Sequence, residues 1–290
     1  MKDTDTHHDD HDLGFRHDLP MLLGRRRVLG ILGSLGLTAA AKAASALEYV
    51  ALPWETAGPY PSDGTNSKNG ELVNVLTQEG VIRTDLRSSF GEYTGTAEGL
   101  PLELELTLLN ADGFTPLAGH AIYLWACDTI GKYSMYDLPE ANYLRGVGIA
   151  DESGVTKFTT IFPGCYDGRW PHFHFEVFES ATAAVSGKAS VLTAQIAMPA
   201  AECAAVYASD SRYSNGTRNL GRITLESDNI FADNTKAQVA QQTPSLTGDP
   251  TTGYSGKLTI PVDFTADRNV QMGPPPGGFG KGRPPGPPRQ

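Results

Sequence analysis

The stretch Pro163–His174 reads P-G-C-Y-D-G-R-W-P-H-F-H and runs on into F-E-V-F, ending at Phe178. In a β-strand, alternate side chains point to the same face. His172 and His174 therefore project side by side, while Phe173, Phe175 and Val177 enter a core. Two imidazoles on one strand face can grip a transition metal, and a nearby phenol such as Tyr166 can join them. The stretch reads as a strand that carries half of a metal site.

The same periodicity continues outward. Leu102–Leu108 (L-E-L-E-L-T-L) alternates strictly, with leucine on the buried face. Ala121–Ala126, Arg145–Ala150, Thr156–Phe162, Arg222–Leu225 and Lys257–Val262 are further β-favouring runs. Turn clusters such as N-A-D-G (Asn110–Gly113) and E-S-G (Glu152–Gly154) separate them. Short helices are expected only at Leu72–Glu79 and Ala200–Ala208. Many short strands with regular turn signals point to a mainly β fold, an antiparallel β-sandwich with long loops and few short helices, rather than to alternating α/β units.

A chain of 290 residues, 40% hydrophobic, is long enough to bury a full core. The formal net charge of −10 argues against nucleic acid or an anionic membrane as the main partner. Residues 1–46 read as a leader and signal peptide. Arg25-Arg26-Arg27 is a twin-arginine pattern, followed by the apolar run Val28–Ala41 and A-x-A sites at Ala41–Ala43 and Ala44–Ala46. The expected location is therefore exported: extracellular, periplasmic or cell-surface, with membrane attachment only if the signal stays uncleaved. His7, His8 and His11 lie ahead of the signal and read as part of a disordered leader. From Gly273 the chain is G-P-P-P-G-G-F-G-K-G-R-P-P-G-P-P-R-Q, too rich in Pro and Gly for a packed core. The expected organisation is 1–46 leader and signal, 47–95 lead-in packing on the catalytic domain, 96–270 β-sandwich, and 271–290 disordered tail.

Upstream of the opening stretch lie Leu124–Ser134 (L-W-A-C-D-T-I-G-K-Y-S), Asn142–Gly146 (N-Y-L-R-G) and Phe158–Gly164 (F-T-T-I-F-P-G). W-x-x-D-x-x-G-x-Y-S, Y-L-R-G, F-T-T-I-F-P-G-x-Y and G-R-x-P-H-x-H, in that order, resemble the intradiol ring-cleavage dioxygenases, a family that includes the catechol and protocatechuate dioxygenases. The likeness is dense over about 120–200. Thr56–Tyr60 (T-A-G-P-Y) is similar to the family's T-x-G-P-Y segment near the substrate. The resemblance implies one Fe(III) per chain held by Tyr133, Tyr166, His172 and His174. It implies Arg169 as the active-site arginine, Tyr166 as a ligand that also works in catalysis, and Gln195 and Tyr60 as substrate-pocket residues. The implied partners are a small aromatic diol and O2, and the implied product is a cis,cis-muconate-type diacid formed by cleavage between the two hydroxylated carbons.

The residue types suit that chemistry. A phenol of ordinary pKa ~10 ionises at neutral pH when a trivalent cation sits on it. Two phenolates and two neutral imidazoles differ from the two-His-one-carboxylate set of Fe(II) oxygenases. Arg169 offers a fixed positive charge to an electron-rich ring. The spacing from Tyr166 to His172 is six positions (172 − 166), shorter than in the catechol and protocatechuate enzymes, and the long helical N-terminal segment of the catechol enzymes has no counterpart. These departures point to an exported branch and leave the ring substituents open. The competing class is an exported β-sandwich binding module whose metal is structural or absent. A cupin-type site needs a third His or a Glu downstream, and no His follows His174. Of Cys127, Cys165 and Cys203, export permits one disulfide, and Cys165–Cys203 is the favoured pair.

Overall fold

The computed structural model describes residues 49–268. The expected leader and signal peptide (1–46) and the expected Pro/Gly-rich tail (271–290) lie outside these described residues. Among the described residues, ten strands and four short α-helices follow one another. The strands are β1 (Asp63–Lys68), β2 (Glu71–Asn74), β3 (Pro101–Asn110), β4 (Ala121–Trp125), β5 (Arg145–Ile149), β6 (Val155–Ile161), β7 (His172–Phe178), β8 (Leu192–Ala197), β9 (Ser245–Asp249) and β10 (Gly253–Val262). The helices are α1 (Ala181–Val185), α2 (Ala200–Ser209), α3 (Gly216–Leu220) and α4 (Lys236–Gln241). No helix among the described residues is long and apolar enough to cross a membrane.

Two four-stranded sheets make the sandwich, in the orders β6-β3-β10-β9 and β5-β4-β7-β8. Leu102, Leu104, Leu106 and Leu108 on β3 are fully buried, while Pro101, Glu103, Glu105 and Thr107 turn away. Opposite them, Phe173, Phe175 and Val177 of β7 join Ile122 and Leu124 of β4 in the same core. The expected alternation on β7 is therefore realised. Burying a side chain such as Phe175 contributes roughly 1.5–3 kcal/mol. The second sheet is covered on its other face as well: Tyr123, Trp125, Tyr133 and Val147 pack there with Val75 and Val81 of the lead-in. That second layer lets imidazoles on β7 sit in a dry interior.

The expected mainly β sandwich with few short helices is borne out, and one of its pairs is parallel: β10 runs alongside β3, from Tyr254↔Leu102 to Val262↔Asn110. The chain between the two strands, residues 111–252, supplies the long crossover that a parallel partner needs. The helix expected at Leu72–Glu79 is absent. Asn69 (φ 54) and Gly70 (φ 86) form a two-residue hairpin turn that pairs Lys68 with Glu71 and makes β2 instead. Arg222–Leu225 forms turns rather than a strand; Ile223 and Leu225 anchor a loop to the core. Helices occur at α1, α3 and α4 in addition to the expected segment at α2. The disulfide Cys165–Cys203 is not formed, and all three cysteines are free and buried. The Cys165 thiol donates to Arg169 O (3.7 Å) within its own loop, and the Cys127 thiol donates to Gly164 O (3.6 Å) in the loop after β6. Cys203 is sealed in the core from α2. Burial pushes the Cys165 thiol up to about 12 and the other two further, so the buried form is the unreactive thiol.

Candidate metal centre

His172 and His174 lie 2% and 3% exposed, with their Nε2 atoms 3.0 Å apart. Tyr133 Oη lies 3.2 Å from His174 Nε2 and 3.5 Å from His172 Nε2, and Tyr166 Oη lies 3.3 Å from His172 Nε2. The four residues assigned as ligands by resemblance thus converge on one point from three segments.

Each segment is held for a physical reason. His172 Nδ1–H donates to Trp170 O (2.5 Å), which fixes the tautomer and leaves Nε2 with its lone pair. His174 is oriented by stacking: the Trp125 ring lies 5.0 Å away at 5°. Tyr133 follows β4 in a loop clamped by Arg145, which is fully buried on β5. Its Nε donates to Ser134 Oγ (3.0 Å), Nη2 to Ser134 O (3.0 Å), and Nη1 to Pro61 O (3.1 Å) and Tyr123 Oη (3.2 Å). Gly131 (φ +87) lets the Tyr133 and Tyr166 loops meet, since a Cβ there would sit 2.6 Å from Tyr166 Cβ.

Burial and the nearby Arg169 charge push His172 down to about 3, and burial holds His174 well below its usual range. Burial also raises Tyr166 to about 12 and Tyr133 well above the ordinary phenol value. The protein alone therefore holds neutral imidazoles and protonated phenols, and a bound cation would reverse the phenol preference.

The residues fit an iron ion. Among the described residues no group of three His, Cys, Asp or Glu is found; the donor set here is two His and two Tyr. Donor separations of 3.0–3.5 Å suit neighbours around one cation with metal–nitrogen bonds of about 2.1 Å. Buried His174 Nδ1 has no hydrogen-bond partner, so nothing in the protein holds a proton on that nitrogen or commits the other to donating.

Arg169 and Gln195, also expected in the site, are in contact: Arg169 Nη2 donates to Gln195 Oε1 (2.6 Å), and Gln195 Nε2 donates to Thr56 O (3.1 Å). Tyr60, 36% exposed, has its ring 5.0 Å from that of Tyr133, at the rim of the centre. Asp128 is accounted for by turn amides, its Oδ1 accepting from Ile130 N and Lys132 N. Trp170 is a packing residue, donating from Nε1 to Met198 O (2.8 Å). Two acidic residues near the site were not singled out from sequence. Asp228, fully buried, accepts from Arg169 Nε (2.9 Å). Glu55 accepts from Asn234 Nδ2 (2.7 Å) and Gln242 Nε2 (2.8 Å). Neither lies in a periodic or motif-like stretch, so no local signal marks them.

Residues 83–182 match the family model described as Dioxygenase. The chain is similar to an intradiol ring-cleavage dioxygenase from Tetranychus urticae, at 20% identity and a TM-score of 0.56, over 77% of this chain and 100% of that one. A second dioxygenase crystal structure aligns at 21% identity and a TM-score of 0.55, over 75% of this chain and 96% of that one. Among curated proteins no match is found. The resemblance to intradiol ring-cleavage dioxygenases holds in a sequence segment and in the β-sandwich fold.

Proposed function

We propose, from that resemblance in segment and fold, that the chain is a non-haem Fe(III) dioxygenase. It would cleave a catechol-type ring between its two hydroxylated carbons and place both atoms of O2 in a cis,cis-muconate-type diacid. The observation that carries the reading is the convergence of Tyr133 Oη, Tyr166 Oη, His172 Nε2 and His174 Nε2 at 3.0–3.5 Å. A binding module has no need of two phenols aimed at two buried imidazoles.

Held by Tyr133, Tyr166, His172 and His174, ferric iron would supply the Lewis acidity that activates a diol toward O2. The remaining work belongs to the chain. Tyr133, 1% exposed and tied to β5 through Ser134 and Arg145, is the permanent phenolate. Tyr166, only partly buried, is the more accessible of the two phenols, and its Oη would receive a substrate proton. Arg169 keeps its Nη1 N–H groups without a protein partner among the described residues and offers them to negative charge developing on the ring oxygens. Tyr60 closes the rim. The covered second face of the β4–β7 sheet keeps bulk water from the histidines. The twin-arginine pattern at Arg25–Arg27 supports an exported enzyme acting on aromatics outside the cytoplasm.

The test is direct. Purified protein should show a red-brown ferric-phenolate band, and catechol under air should yield a muconate chromophore whose carboxyl groups carry label from 18O2. Tyr133→Phe should shift and weaken the band and lower turnover by at least about 100-fold, beyond the loss typical of outer-shell changes. An iron-replete but colourless preparation would sink the reading.

A further inference from the structure

Asp228 lies between β8 and β9, outside the segment 83–182 that matches the dioxygenase model, and its side chain is fully buried. All its contacts are donors aimed at a carboxylate. Oδ1 accepts from Ile230 N (2.9 Å) and Phe231 N (3.2 Å), which fixes the carboxylate plane. Oδ2 accepts from Arg169 Nε (2.9 Å) and from Trp170 N (2.7 Å). A buried carboxylate with four N–H donors is rigid, and charge-assisted bonds of this kind are among the stronger ones in proteins.

The Arg169 side chain is 13% exposed and is held at two of its three nitrogens: Nε by Asp228 and Nη2 by Gln195. That grip leaves no rotamer freedom and turns the Nη1 edge away from both anchors. The second Oδ2 bond matters equally. Trp170 N is held by Asp228, and Trp170 O accepts from His172 Nδ1, so the residue between the arginine and the first histidine is held at its N–H by the carboxylate and at its carbonyl by the imidazole. We propose that Asp228 is the positioning residue of Arg169, a counter-ion supplied by the β8–β9 excursion that sets the direction in which the guanidinium faces the substrate. Asp228 bonds to none of the four donor atoms; it acts through Arg169.

The proposal rests on the dioxygenase reading for its consequence in turnover, but not for the ion pair, so two measurements separate them. In the holoenzyme, Asp228→Asn should keep the iron content and the ferric-phenolate band while kcat for catechol falls about 10- to 100-fold with KM changed by no more than about threefold, as expected when an interaction made in the transition state is lost. In an Arg169→Ala background, Asp228→Asn should then cost less than about twofold more, because both changes remove one function. Additive losses, or an unchanged kcat in the single variant, would overturn the proposal. In metal-free wild-type protein, the Arg169 Nε–H resonance, assigned by its loss in Arg169→Lys, should exchange slowly with solvent. Fast exchange overturns the positioning role even where Asp228→Asn does not fold. If the wild type cleaves no catechol, the functional reading fails, and the exchange measurement still decides whether Asp228 holds Arg169.

Discussion

His174 shows how closely the centre is built around single side chains. Its ring is stacked by Trp125 on one side and approached by Gly58 on another, where a Cβ would lie 3.2 Å from His174 Cε1. Gly58 sits at φ +75, before Pro59, in a conformation that costs other residues roughly 1–2 kcal/mol. Gly58→Ala therefore carries backbone strain and a push on a metal-facing ring. Thermal unfolding of the metal-free variant should show a loss of about 1–2 kcal/mol, and iron stoichiometry should fall below that of the wild type. A variant that binds iron fully would show that the ring has room to move. The placement of His172 and His174 was legible from the period of two. The need for Gly58 was not, because the neighbour it spares lies 116 positions away (174 − 58).

At the scale of elements, the lead-in and the β8–β9 excursion meet over the edge of β8. Glu55 N donates to Thr193 O (2.8 Å), and the Glu55 carboxylate accepts from Asn234 and Gln242, while Gln242 Nε2 also donates to Gln195 O (3.0 Å). Burial raises the Glu55 carboxyl to about 7 against the lowering effect of those bonds, and its Oε2 is buried without a partner. With the folded value above the unfolded one, its contribution is fully present below about 4.5 and is lost as pH rises through about 7. Glu55→Gln has no charge to bury. In denaturant titrations of metal-free protein, its stability relative to wild type should rise between pH 5 and pH 8, by up to about 3 kcal/mol. Parallel pH profiles would mean that Glu55 ionises without penalty. Strand reading located β3 to β7 and β10 to within a few residues, because each buries a one-sided or continuous apolar face. It failed at Leu72–Glu79, where the Asn69-Gly70 turn outweighed helical propensity.

For the whole molecule, the proposed ligands come from the loop after β4, the loop after β6 and from β7 itself, so a bound ion would tie three segments that are distant in sequence. Anything that binds only the folded state stabilises it, by roughly 4 kcal/mol at a thousandfold excess over Kd. In a domain of this size that corresponds to about 10 °C. Removing iron with a chelator should bleach the visible band and lower Tm by that order, and adding ferric iron back should restore both. Colour lost without any change in Tm would mean that the three segments are already rigid without the ion. The free cysteines carry no part of this stability.

The local sequence determined what local periodicity and residue chemistry can express: a β fold, a strand with two histidines on one face, and the phenols and arginine that match them in type and order. The tertiary structure decided what depends on distant segments. It set the parallel pairing of β3 with β10, the free thiols in place of a disulfide, the clamp of Arg145 on the Tyr133 loop, and the burial of Asp228 behind Arg169. The reason is one of range. Alternation and motifs are written within a dozen residues, whereas a counter-ion 59 positions from its arginine (228 − 169) is selected only by the packing that brings the two together.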